Sequence, residues 1–136
     1  MTRVLVIAVT VLAAALQGCA STGVVRNDAG APSASAITAL GGGLIGGSIG
    51  RDLSSRDRRQ ALEAEYKALE YGQGGQVITW QSSRDINRGE VVAAQPYRVG
   101  SQDCRQFVHT LYTGNASQTA RGTACRNPDG SWSLLN

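Results

Sequence analysis

The chain is 136 residues long and carries 17 glycines, 3 cysteines, 1 histidine and a formal net charge of +3. That length supports one small domain once an export signal is removed, and the positive charge is spread too thinly to make a nucleic-acid footprint. A single histidine without a carboxylate pair or metal-ligand spacing around it leaves no catalytic or metal-binding constellation to assemble, so no cofactor is expected.

Taken in order, the chain opens on an export signal. Arg3 precedes Val4–Leu16, an uncharged run rich in Val, Leu and Ala. The run falls short of the roughly 20 residues a membrane-spanning helix needs, and it suits the apolar core of a signal peptide over residues 1–18. The run closes on Leu16-Gln17-Gly18-Cys19, which resembles the bacterial lipobox, with Gln17 at a position where small residues are more usual. That resemblance implies acylation of Cys19 and anchoring in a bilayer, which several acyl chains make stable. Ala20 stands where similar inner-membrane lipoproteins often carry Asp, which points to the outer membrane. Acylation of Cys19 also resolves the odd cysteine count, leaving Cys104 and Cys125 as a pair in an oxidising compartment.

Residues 19–35 read as a lipid-proximal tether, punctuated by Ser, Thr, Gly, Asn, Asp and Pro without either periodicity. Residues 36–50, AITALGGGLIGGSIG, read as a glycine-zipper helix. On a helical wheel Ile37, Leu40, Leu44, Ile45 and Ile49 share one half, and Gly42, Gly43, Gly46, Gly47 and Gly50 share the other. Such small-x-x-x-small spacing lets helix backbones approach in lipid, so these glycines are expected to pack against membrane or a partner helix, with self-association as one outcome.

Residues 51–72 predict a short amphipathic helix over about Arg56–Tyr71. Asp52, Ser54 and Ser55 offer caps, with Ser54-x-x-Asp57 a loose capping-box variant, Gly72 a stop, and Leu62, Tyr66 and Leu69 a narrow apolar stripe. From residue 73 the alphabet turns to strands and turns. Strands are expected over Gln76–Trp80, over Glu90–Val99 with a break at Pro96, and over Phe107–Tyr112, Gln118–Cys125 and Trp132–Leu135. A two-residue turn at Gly114-Asn115 pairs Thr113 with Ala116, and the same register sets Cys104 directly opposite Cys125, Thr110 opposite Thr119 and Phe107 opposite Gly122. A Cys104–Cys125 disulfide follows.

Two stretches carry a family resemblance. GGGLIGGSIGRDLSSRDRRQALEAEYKALEYG resembles the glycine-zipper segment and following helix of rickettsial-type seventeen-kilodalton surface antigens, except that one of the two usual zipper repeats is missing. Cys104-Arg105 with the aromatic strand after it, and Gly122-Thr123-Ala124-Cys125-Arg126-Asn127-Pro128-Asp129-Gly130-Ser131-Trp132, are similar to the C-terminal domain of the same family. The resemblance implies an outer-membrane lipoprotein with no settled catalytic role. The expectation is therefore an α+β chain with a glycine-zipper helix, a short amphipathic helix and a small antiparallel β-sheet domain over residues 73–136 with one disulfide. Its expected function is non-catalytic, a structural or protein-interaction role in the cell envelope facing the periplasm or the cell surface. The alternative is a ligand-binding or inhibitor module in which Arg105, Arg121 and Arg126 meet an anionic envelope ligand. His109, alternating with Phe107 and Leu111 on a strand, is expected to be packed rather than catalytic.

Overall fold

The computed structural model describes residues 40–135. The stretches expected as signal sequence and tether, Cys19 and the first four residues of the glycine-rich segment lie outside them. Among the described residues two helices, α1 (Gly43–Gly47) and α2 (Ser55–Glu70), precede six strands: β1 (Val77–Gln81), β2 (Arg88–Ala93), β3 (Tyr97–Val99), β4 (Gln102–Thr113), β5 (Ala116–Arg126) and β6 (Trp132–Leu135). The strands form one antiparallel sheet in the order β1-β2-β4-β5-β6, with β3 also paired to β4. The α+β architecture is as expected.

Local chemistry explains the elements. Ser54 Oγ accepts the Asp57 N–H at 3.1 Å and caps α2, satisfying one of the donors a helix start leaves unpaired. After α2 the Tyr71 and Gly72 N–H groups both return to the Lys67 carbonyl, and the chain leaves the helix there. β2 and β3 lie along the same edge of β4, separated where Gln95-Pro96 interrupts the ladder. Proline has no N–H to contribute, so pairing resumes only at Tyr97.

The hairpin between β4 and β5 has the register that the Gly114-Asn115 turn dictates: Thr113 opposes Ala116, Thr110 opposes Thr119, Phe107 opposes Gly122 and Cys104 opposes Cys125. The two cysteines are bridged, with a Cα separation of 4.0 Å, and the Thr110 and Thr119 hydroxyls lie 3.3 Å apart.

Both helices cover one face of the sheet. Alternation turns Trp80, Val91, Phe107, His109, Leu111, Ala120, Ala124 and Trp132 inward, where they meet a helix face made largely of Ala61, Ala64, Ala68 and Leu69. Short alanines let α2 lie close on the sheet. Leu40, Leu44, Ile45 and Ile49 join the same core, so residues 40–72 and the sheet share one hydrophobic interior.

This corrects the continuous helix expected over residues 36–50. Of the described part of that segment only Gly43–Gly47 are helical, because Gly41 and Gly42 before the helix and Gly50 after it adopt positive φ values of 63°, 89° and 76°, and Gly43, at 59°, stands only at its first position. A right-handed helix cannot run through left-handed residues, and glycine is the residue that takes that conformation freely. Of the aliphatic side chains the wheel grouped together, Leu40, Leu44, Ile45 and Ile49 are buried, but against this protein's own sheet, and Ile37 lies outside the described residues. Among the described residues no helix is long and apolar enough to cross a membrane.

The disulfide joins two long strands across a separation of 21 residues. Replacing both cysteines, Cys104→Ser with Cys125→Ser, is expected to lower stability by about 3 kcal/mol, seen as a lower urea midpoint.

Candidate functional site

The groups that carry chemistry sit between the helices and the sheet. Glu65 projects from the middle of α2 and His109 from the middle of β4, and both side chains are fully buried. His109 Nδ1 lies 2.7 Å from Glu65 Oε1, and the Trp80 indole N–H donates to His109 Nε2 at 3.0 Å. An indole N–H can only donate, so Nε2 must accept, and the ring hydrogen sits on Nδ1 facing the carboxylate. Trp80 therefore fixes the tautomer of His109.

The same carboxylate receives two backbone donors. The Leu44 N–H reaches Glu65 Oε2 at 3.0 Å and the Ile45 N–H reaches Oε1 at 3.1 Å. Glu65 thus caps the first turn of α1 from another element. Two glycines make room for this network. A Cβ on Gly43 would overlap the Glu65 carboxylate, and a Cβ on Gly89 would overlap the Trp80 indole.

A second polar cluster closes the C-terminal end of α2. The Arg105 guanidinium is nearly buried and donates to the carbonyls of Ala68, Leu69 and Gly72 at 3.0, 2.8 and 2.8 Å, and to Ala94 at 2.8 Å. Burial pushes the Arg105 guanidinium below the usual arginine range. The negative end of the helix dipole compensates, with carbonyls in place of a carboxylate. Nearby, Arg126 holds Glu70 through bonds of 2.9 to 3.2 Å, and the Trp132 indole donates to Glu70 Oε2 at 2.8 Å. The bond from Arg126 lowers the Glu70 carboxyl below its ordinary value, against the opposing effect of burial.

These positions overturn the shared arginine patch. Arg105 and Arg126 lie on the helix-covered face and hold α2, whereas Arg121 alternates to the opposite, exposed face between Ala120 and Gly122. They do not converge on a ligand. The glycines also divide: Gly43 packs on α2 and Gly50 on Ile45, while Gly46 and Gly47 face open space. Cys104 and Cys125 are brought together, and Cys19 lies outside the described residues. Among the described residues no group of three or more His, Cys, Asp or Glu side chains is arranged to hold a metal.

A carboxylate, imidazole and indole in series resemble a base and its orienting partner. None of the three presents a reacting atom to solvent here, and every polar atom facing the others is already bonded, so the arrangement fixes positions. Sequence reasoning missed Glu65, Glu70 and the Trp80 contact. The available signal was Glu65 at the centre of the Ala61, Ala64, Ala68 and Leu69 face, a charge on the side of the helix that alanines mark as buried.

Residues 67–133, from the end of α2 to β6, match the family model described as "17 kDa outer membrane surface antigen". This segment belongs to the 17 kDa outer membrane surface antigen family. The proteins named 17 kDa surface antigen from Rickettsia bellii, Rickettsia conorii and Rickettsia prowazekii are similar to it. They are 35%, 37% and 35% identical over 89, 85 and 82 residues, covering 65%, 62% and 60% of this chain and 56%, 54% and 52% of theirs. The chain thus spans about half the length of the curated relatives it matches. No solved structure matches it. Within the surface-antigen segment lie Arg105, His109, Arg126, Glu70 and the disulfide, whereas Glu65 and α1 precede it.

His109→Leu leaves the Trp80 N–H without an acceptor and takes one of its three donors from the buried Glu65 carboxylate, so a loss of about 3 kcal/mol in urea unfolding is expected; Trp80→Phe removes one bond and should cost about 1 to 2 kcal/mol. The lowered Glu70 carboxyl adds stability that is present above its unfolded value and is lost as pH falls through its folded value. The stability advantage of the native chain over Glu70→Gln should therefore shrink on acidification from about pH 6 to pH 3, in urea titrations at each pH.

Proposed function

We propose that the protein is a lipid-anchored outer-membrane protein of a bacterial envelope, surface-antigen-like, whose folded domain is a structural or protein-interaction module. The observation that carries this reading is the use of the buried chemistry. Glu65, His109 and Arg105 are all engaged in holding α1 and α2 on the sheet, which leaves the outer surface and edges as the parts that meet other molecules. The family's description as an outer membrane surface antigen supports the location. The Leu16-Gln17-Gly18-Cys19 motif supports attachment through an acylated Cys19, with the bilayer as the first partner.

The alternative of an anionic ligand held by three arginines loses its support, because Arg105 and Arg126 already have internal partners. The bilayer role of the glycine run is narrowed in the same way, since its aliphatic side chains are enclosed from Leu40 onward.

Cys19→Ser, expressed in a bacterial host and fed a palmitate analogue, is expected to lose labelling and leave the membrane fraction. Unchanged labelling would overturn the anchor.

A further inference from the structure

We infer that the protein pairs with a second copy of itself through the edge strand β1, joining two sheets into one across a two-fold axis at Thr79. The parity of the ladder shows which backbone groups are available. Ser82 donates to the Asn87 carbonyl at 2.8 Å and Ala94 to the Gln106 carbonyl at 2.8 Å. With the β1–β2 register of Ile78 opposite Val91 and Trp80 opposite Gly89, the even-numbered residues of β1 bond to β2. Val77, Thr79 and Gln81 therefore direct their N–H and C=O groups away from the sheet. Among the described residues nothing pairs with them.

Exposed edges are ordinarily protected by charges, proline, bulges or a covering element. β1, with the sequence VITWQ, has none of these within it, and Val77 is 52% exposed. An antiparallel second copy centred on Thr79 places Val77 opposite the partner's Gln81 and Thr79 opposite the partner's Thr79, for about six new backbone hydrogen bonds. On the inner face, half-buried Ile78 would lie opposite the partner's Trp80 and Trp80 opposite the partner's Ile78. Aromatic against β-branched is a favourable cross-strand pair, and no like charges meet directly.

The helix layer fits the same axis. Between α2 and β1 runs a groove of about 200 Å³ lined by Gln60, Glu63, Ala64, Lys67 and residues of β1. The buried Gln60 Oε1 has no hydrogen-bond partner among the described residues. A two-fold at Thr79 brings the two α2 helices antiparallel across this groove, so that the partly exposed Glu63 and Lys67, 2.9 Å apart within one chain, face the opposite charges of the partner. Gln60 would gain donors there.

The far edge of the sheet is the four-residue β6, shorter than β1, with a free part of β5 beside it that does not serve either. The free part of β5, Ser117–Arg121, lies between the turn at Gly114-Asn115 and Leu135, which pairs with Thr123; self-pairing centred there would drive the partner's turn into β6. The inference rests on the fold alone and holds with or without acylation of Cys19.

The test uses the full chain in mild detergent. Directly opposed hydrogen-bonded residues have Cα atoms about 5.5 Å apart, within disulfide range. Thr79→Cys is therefore expected to yield a covalent dimer under mild oxidation, with the 79–79 link identified by non-reducing peptide mapping, while Thr119→Cys on the β5 edge gives none. Thr79→Lys sets like charges at the axis and should weaken self-association at least about tenfold at an unchanged thermal midpoint. Glu63→Lys should weaken it too, with partial recovery when Lys67→Glu is added. A chain that stays monomeric at about 100 µM without a 79–79 link, or a Thr79→Lys variant that associates as before, would overturn the inference, whatever the fate of palmitate labelling.

Discussion

A carboxylate removed from water must find donors, or the elements that enclose it come apart. Glu65 finds three, and each belongs to a different part of the problem of building this domain. The Leu44 and Ile45 amides fix the turn that follows the N-terminal segment, and His109 fixes the centre of the longest strand. Because the carboxylate itself projects from α2, one side chain sets the mutual position of a helix, a turn and a sheet. The dependence runs outward from there. Gly43 must lack a side chain to let α1 approach, Gly89 must lack one to admit Trp80, and Trp80 must be an indole to hold the imidazole in the tautomer that Glu65 needs.

The alanine face of α2 explains why such polar fixing matters. Ala61, Ala64 and Ala68 give close approach but little shape to define a register, since interlocking of large side chains is what usually fixes one. Directional bonds supply the missing definition at three points along the helix: Glu65 at the middle, Arg105 on the last carbonyls and Glu70 with Arg126 and Trp132 beside them. The Arg105 arrangement also leaves a buried cation facing carbonyls alone, which ties the bonding of that guanidinium to α2 remaining folded to its end.

Where short-range rules act alone, the sequence was readable. The Gly114-Asn115 turn determines the β4–β5 register without reference to anything else, and with it the opposition of Cys104 and Cys125. Ser54 and Pro96 mark a helix start and a strand break for equally local reasons. The glycine-rich segment was misread because a helical wheel assumes continuous right-handed backbone; it identified Leu40, Leu44, Ile45 and Ile49 as an apolar group but could not say that a sheet, not lipid, encloses them. The arginines were misread for a related reason. Residue type reveals a charge, yet only the strand parity and the position of the helix end decide that Arg105 points at carbonyls and Arg121 at solvent. Glu65 was legible only in part, as a charge out of place among alanines.

The attachment of α1 has a mechanical side. A pull on the segment that precedes Leu40 enters the domain at the glycine-rich turn, where it meets the aliphatic contacts of Leu44 and Ile45 and the two N–H hydrogen bonds to Glu65 before any strand pair. The six-stranded ladder lies downstream of that junction, and its two longest strands are joined by a covalent bridge. Under load the turn would detach first, lengthening the chain ahead of α2 while the sheet stays whole. The carboxylate that positions the parts at rest is also the first polar tie that such a pull would meet.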